Sequence, residues 1–133
     1  MTKARPNAQV VMNKPLPRLL SVAPVSGSGE PVAVERLRAG QPLTKVRNDY
    51  AAADGHFDAG IWESSPGRWR VSYTEHEVCV LLAGHVRLIA ADGKAVEFQA
   101  GDSFVVPAGF EGEWETVEAA RKLYVIYTPP GQA

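Results

Sequence analysis

Glu77 opens the apolar run EVCVLLAG, so strand alternation would turn its carboxylate to the same face as Cys79 and Leu81. A carboxylate facing an apolar interior costs free energy unless it is paired or hydrogen-bonded. Two roles follow. Hydrogen-bonded to the Tyr73 hydroxyl or a tryptophan N–H, Glu77 is a structural member of a network. Desolvated, a carboxyl of this kind becomes a candidate general acid or base, which makes Glu77 the candidate catalytic residue. Trp62, Tyr73, Trp114 and Tyr124 fall on predicted inward faces and, with Glu77, form the candidate ligand-binding set. Aromatic faces attract cations, so a ligand carrying an amine or guanidinium would find a π surface beside the Glu77 carboxylate. Filling a core is the other role open to those aromatic residues.

The remaining reactive side chains point to less. A thiol nucleophile needs an activating base or positive charge. No histidine shares the face of Cys79, so an inert buried thiol is expected. A metal needs several convergent donors. His76 adjoins Glu77 and so faces the other way, His85 follows a corner at Gly84, and His56 precedes a strand in a loop. A rebuilt His/Glu metal site would need an unusual bulge, so neither metal nor cofactor is expected.

The elements that must position these residues are strands. Short alternating runs rich in Val, Ile, Tyr and Trp predict strands over 31–37, 57–63, 68–73, 76–83, 85–90, 95–99, 103–106, 113–118 and 121–127. Ser65-Pro66-Gly67 suits a tight reversal, and Asp92-Gly93 between HVRLIA and KAVEF is a hairpin signal. A helical period is hinted at only near Asn48 to Ala53. Many short strands at regular spacing argue for an all-β sandwich or barrel. In RWRVSY, Trp69, Val71 and Tyr73 share the inward face, while Arg68 and Arg70 point to solvent or an interface. Val78, Val80 and Leu82 form an outward apolar row, which predicts a covering arm or, preferentially, a second subunit. Residues 1–30 carry Pro6, Pro15, Pro17, Pro24 and SGSG, a composition that disfavours helix. They are read as an N-terminal arm, partly disordered or subunit-crossing, ahead of one barrel over 31–133.

With 133 residues and 45% apolar content the chain has material for a single core. A net charge of −1 gives no overall field for nucleic acid or anionic membrane, and the basic N-terminus is read as a solvated end. No apolar run reaches the ~18 residues of a membrane span. One cysteine excludes an internal disulfide and fits a reducing compartment, hence a cytoplasmic protein.

Two motifs carry a family resemblance. GDSFVVPAGFEGEW, from Gly101 to Trp114, has the G-x5-P-x-G spacing of the second cupin signature, with Gly112 where that signature ends in a metal-binding His. The first signature, anchored on Gly84, puts its acid at Glu77 and its two histidines at Tyr73 and Val71. GIWE, SPG and the closing RKLYVIY extend the likeness over about residues 57–127. The chain resembles the small single-domain cupins grouped with the ureidoglycine aminohydrolase cupin domain. The resemblance implies a double-stranded β-helix (jelly-roll) barrel, often homodimeric. It does not carry the aminohydrolase activity. That enzyme's Glu, two His and Gln correspond to Val71, Tyr73, Glu77 and Gly112, none of which matches. The function expected is binding of a small polar or nitrogenous metabolite without a metal. The alternative is a hydrolase- or isomerase-type enzyme using Glu77 as acid or base, and less so a metal-dependent aminohydrolase.

Overall fold

The computed structural model describes residues 14–131, and among them there are strands and no helix. In order these are β1 Glu30–Pro31, β2 Leu37–Gly40, β3 Leu43–Ala51, β4 Phe57–Ser64, β5 Gly67–Ser72, β6 His76–Ala90, β7 Ala95–Gln99, β8 Ser103–Val106 and β9 Glu111–Tyr127. All pairings are antiparallel. The long strands β6 and β9 pair along almost their whole length and bend together, with register shifts around Ala83 to His85. Their first and last halves therefore serve two curved sheets. One runs β1-β3-β4-β9-β6-β8 and the other β2-β5-β9-β6-β7. This is the expected all-β jelly-roll barrel.

Several boundaries differ from the sequence reading. The runs at 76–83 and 85–90 are one strand, as are those at 113–118 and 121–127, because Gly84 bends β6 without ending it. The segment predicted as a strand over 31–37 is strand only at its two ends. Arg36 N–H and Leu37 N–H both donate to Ala33 O, closing a turn there. The helical hint near Asn48 is overturned, since β3 occupies 43–51. A bulge that skips Asp49 breaks its alternation, and its exposed, charged sequence hides the strand. The Asp92-Gly93 hairpin forms as read, with Gly93 at positive φ and Gly93 N–H donating to Ala90 O.

The two outer faces are unlike. That of β5, β9 and β6 is a charge ladder: Arg68 and Arg38 meet Glu113 at 3.0 and 3.6 Å, and Arg87 meets Glu115 at 3.7 Å. That of β4, β9 and β6 is apolar apart from the Glu63–Arg121 pair. The described part of the arm covers its β3–β4 end, where Arg47 donates to Ser21 O, Ala23 O and Pro24 O, and Ile61 is wholly buried. Glu63 clasps the same strand, accepting from Val25 N–H and Arg121 Nε. Burial tends to raise its pKa, but these donors and Lys45 outweigh it and hold the carboxyl below its ordinary value. Further along, Val78 and its cross-strand neighbour Val105 stay exposed. Residues 1–13 of the predicted arm lie outside the described residues. No helix among the described residues is long and apolar enough to cross a membrane.

Candidate functional site

Strand register builds the interior as a grid. Rows run Val46–Trp62–Lys122–Leu81, Asn48–Gly60–Tyr124–Cys79, and Asp58–Ile126–Glu77 across β3, β4, β9 and β6. β5 and the first half of β9 supply Trp69, Val71 and Trp114 from the opposite wall. Between the walls is a cavity of about 460 Å³, lined by these residues (Leu81, Gly60 and Cys79 excepted) and by Tyr73. All three tryptophans of the chain reach it. Val46, 62% exposed, marks the side on which it opens. In the far half of the barrel Phe98 stacks on Phe104 at 3.8 Å beside Val86, Leu88 and Val106, leaving a smaller cleft of about 220 Å³.

The structure brings Trp62, Tyr73, Glu77, Trp114 and Tyr124 to this one cavity. It also gives Glu77 a partner that sequence reasoning missed. Lys122 Nζ lies 2.7 Å from Glu77 Oε2, and the two side chains are 5% and 7% exposed. The ammonium sits 4.7 Å from the Trp62 ring and 4.4 Å from the Trp114 ring, and donates to Cys79 Sγ at 3.6 Å. The tryptophan box beside Glu77 thus already holds a cation, and it is the protein's own. The expectation that a ligand amine would pair with Glu77 is corrected accordingly. So is the expected bond from a tryptophan N–H, because Trp114 Nε1 donates to Thr116 Oγ1 at 3.0 Å, and Thr116 Oγ1 in turn to Ser64 Oγ.

This arrangement fixes the protonation of its members. Burial alone would push the Lys122 ammonium down, but the Glu77 carboxylate outweighs it and holds Lys122 above the usual lysine range. Burial pushes the Cys79 thiol up to about 12 against the pull of Lys122. Burial likewise lifts the Tyr73 hydroxyl well above its ordinary value; Lys122 opposes this and Glu77 adds to it. At neutral pH the group therefore offers a charged lysine, a neutral thiol and a neutral phenol. Cys79 is no thiolate nucleophile there.

A second polar chain lies at the open rim. Tyr124 O–H donates to Asn48 Oδ1 at 2.7 Å, and Asn48 Nδ2 donates to Asp58 Oδ1 at 3.0 Å. Gly60 makes this possible, since a Cβ there would lie 2.6 Å from the Tyr124 oxygen and 2.1 Å from Arg47 O. Burial, then Asp58 and Asp49, push the Tyr124 hydroxyl up to about 12, so it acts as a neutral donor. Lys122 and Asp58 were both within reach of the sequence. Lys122 shares parity with Tyr124, and Asp58 with Trp62.

The residues at the cupin metal positions do not fit a metal. Val71 has no donor, and Tyr73 keeps its proton. Gly112 does not line the cavity: a Cβ there would lie 2.0 Å from Ile89 O. Glu77 already has an ammonium beside it. The histidines go elsewhere. His56 meets Thr128 O, His76 accepts from Ala108 N–H, and His85 meets Glu97. Among the described residues no group of three or more His, Cys, Asp or Glu is placed to hold a metal.

Two curved sheets sharing their long strands around a cavity open at one end define a cupin barrel. Residues 51–124 match the EutQ-like cupin domain family, and the chain belongs to it. Solved structures agree on the fold. The chain is similar to the Clostridium difficile EutQ protein (18% identity, TM-score 0.60, covering 67% of this chain and 65% of that one). It is similar to a protein of unknown function from Pseudomonas syringae pv. tomato (21%, TM-score 0.72, 80% and 46%). The cupin domain of Schizosaccharomyces pombe Cnp3 is a third (17%, TM-score 0.57, 73% and 72%). The chain thus spans just under two thirds of the first and less than half of the second. No curated protein matches it.

Proposed function

We propose that this chain binds a small polar or nitrogenous metabolite inside the barrel without using a metal. The observation that carries the reading is the open cavity of about 460 Å³, in which aromatic walls and a few convergent polar groups meet. A barrel filled by its own side chains would leave no such space. Thermal-shift screening of a metabolite library tests it: a true ligand raises Tm in proportion to the logarithm of its concentration. A library without a single saturable hit would count against binding.

A second reading, an enzyme using Glu77 for proton transfer, is favoured by the convergence of Glu77, Tyr73 and Lys122 on one cavity. It predicts that Glu77→Gln abolishes turnover of an identified ligand while leaving its binding. The finer likeness to ureidoglycine aminohydrolase supports the barrel more than the reaction, because Val71, Tyr73, Glu77 and Gly112 reproduce none of that enzyme's ligands. We read the exposed Val78–Val105 patch as the seat of a homodimer; light scattering on wild type and Val78→Lys checks this, the variant being expected to run as a monomer. The buried free thiol of Cys79 supports a cytoplasmic location, which fractionation of the host cell would test.

A further inference from the structure

Three charged side chains line the cavity: Asp58, Glu77 and Lys122. Two carboxylates against one ammonium leave a net charge of −1. That charge belongs at Asp58, because Lys122 is taken up by Glu77 at 2.7 Å and by the two indoles. Among the described residues no cationic nitrogen lies within 4.0 Å of an Asp58 oxygen. Its one side-chain hydrogen bond comes from Asn48 to Oδ1. A carboxylate only accepts, so the Asn48 amide must turn Nδ2 to Asp58 and Oδ1 to the Tyr124 hydroxyl. The Tyr124–Asn48–Asp58 chain thus ends on a fixed acceptor, and Oδ2 remains open for a donor from a guest.

We infer that Asp58 is the recognition carboxylate of the site, and that the ligand class is a small organic ammonium: a protonated amine at Asp58 with an apolar stem against the wall that Trp62, Trp69 and Trp114 form. This rests on the proposal that the cavity binds a metabolite. It changes where the charge of that metabolite goes. An anionic head group would meet two carboxylates and an ammonium that is already neutralised. A cationic head group at the rim meets the one cavity charge that has no ion-pair partner among the described residues, while its stem replaces water against the apolar walls.

Benzylamine, benzyl alcohol and benzoate share one stem and differ in head-group charge. Titrating each into the full chain at pH 7.5 and following the three tryptophan indole N–H resonances reports on this cavity alone, because all three rings line it. Benzylamine is expected to bind tightest, and Asp58→Asn to weaken it about three- to tenfold while leaving benzyl alcohol unchanged. Should that variant fail to fold, salt does the same work: benzylamine affinity falls between 20 mM and 500 mM NaCl and benzyl alcohol affinity does not. Benzoate binding as well as benzylamine, or an Asp58→Asn variant with full benzylamine affinity, overturns the inference and leaves the binding proposal standing. Three probes that all fail to move any indole resonance at 10 mM overturn both.

Discussion

Glu77 and Asp58 flank Ile126 and face the same cavity, roughly 10 Å apart at Cα by two strand spacings, yet their surroundings set opposite costs. Glu77 is 6% exposed and is matched by an ammonium that is itself buried. Asp58 is half-buried at the rim and is matched only by an amide. The first end holds its own counter-ion and is closed to exchange with a guest. The second is left for solvent or a guest to complete. Of these two carboxylates, the fold itself satisfies the first and leaves the second for recognition.

Removing the lysine should break this contrast most severely. Lys122→Met leaves Glu77 buried without a counter-charge and is expected to lose about 3–5 kcal/mol of stability in urea unfolding. The double variant with Glu77→Gln should recover at least about half of that, since no charge is then stranded. A double variant as unstable as the single one would show that the lysine acts through packing on the two indoles instead.

Alkaline pH should loosen the same end next. Cys79 has its pKa raised in the fold to about 12, so an unfolded thiol gives up its proton first, from about 8.5 upward. Over that window the unfolded state binds fewer protons and stability falls as pH rises, by about 1.5 kcal/mol between pH 8.5 and 10. Lys122, raised by Glu77, contributes fully below about 10.4 and loses that contribution as pH climbs through its folded value. Urea midpoints at pH 7.5, 8.5 and 10 should show the decline, and Cys79→Ala should flatten its first part.

The rim carboxylate should matter least to the fold. Asp58→Asn keeps the shape and the hydrogen bond from Asn48 and removes one half-buried charge that has no ion-pair partner, so stability should stay within about 0.5 kcal/mol of wild type at pH 7.5. A larger loss would mean that Asp58 is a structural anchor after all, and the two ends would no longer differ in kind.

Strand alternation is a local rule, and it carried much of the interior. Trp62, Tyr73, Glu77, Trp114 and Tyr124 were each turned inward by counting along a single strand, and the structure puts them in one cavity. What counting could not supply was which strands are neighbours. Lys122 shares parity with Tyr124, but a lysine within RKLYVIY reads as a solvated charge until β9 is laid between β4 and β6 and Trp62 becomes its neighbour. Asp58 was passed over for the same reason. β3 was missed because the bulge at Asp49 interrupts its period, and because its inward residues Val46 and Asn48 face an open mouth instead of a core. The close approach of Ile89 to Gly112 joins residues far apart in sequence and leaves no trace in either segment.

That approach also bears on the substitutions open to this barrel. A metal-binding side chain at position 112 would need β6 to stand further from β9, since a Cβ there would lie 2.0 Å from Ile89 O. Placing histidines at Val71, Tyr73 and Gly112 would therefore not be enough to build a metal site, because the last of them requires the backbone to part first. Space that a ligand side chain would need is taken up by the packing of β6 on β9, so a metal site is closed to this barrel by its backbone as well as by its side chains.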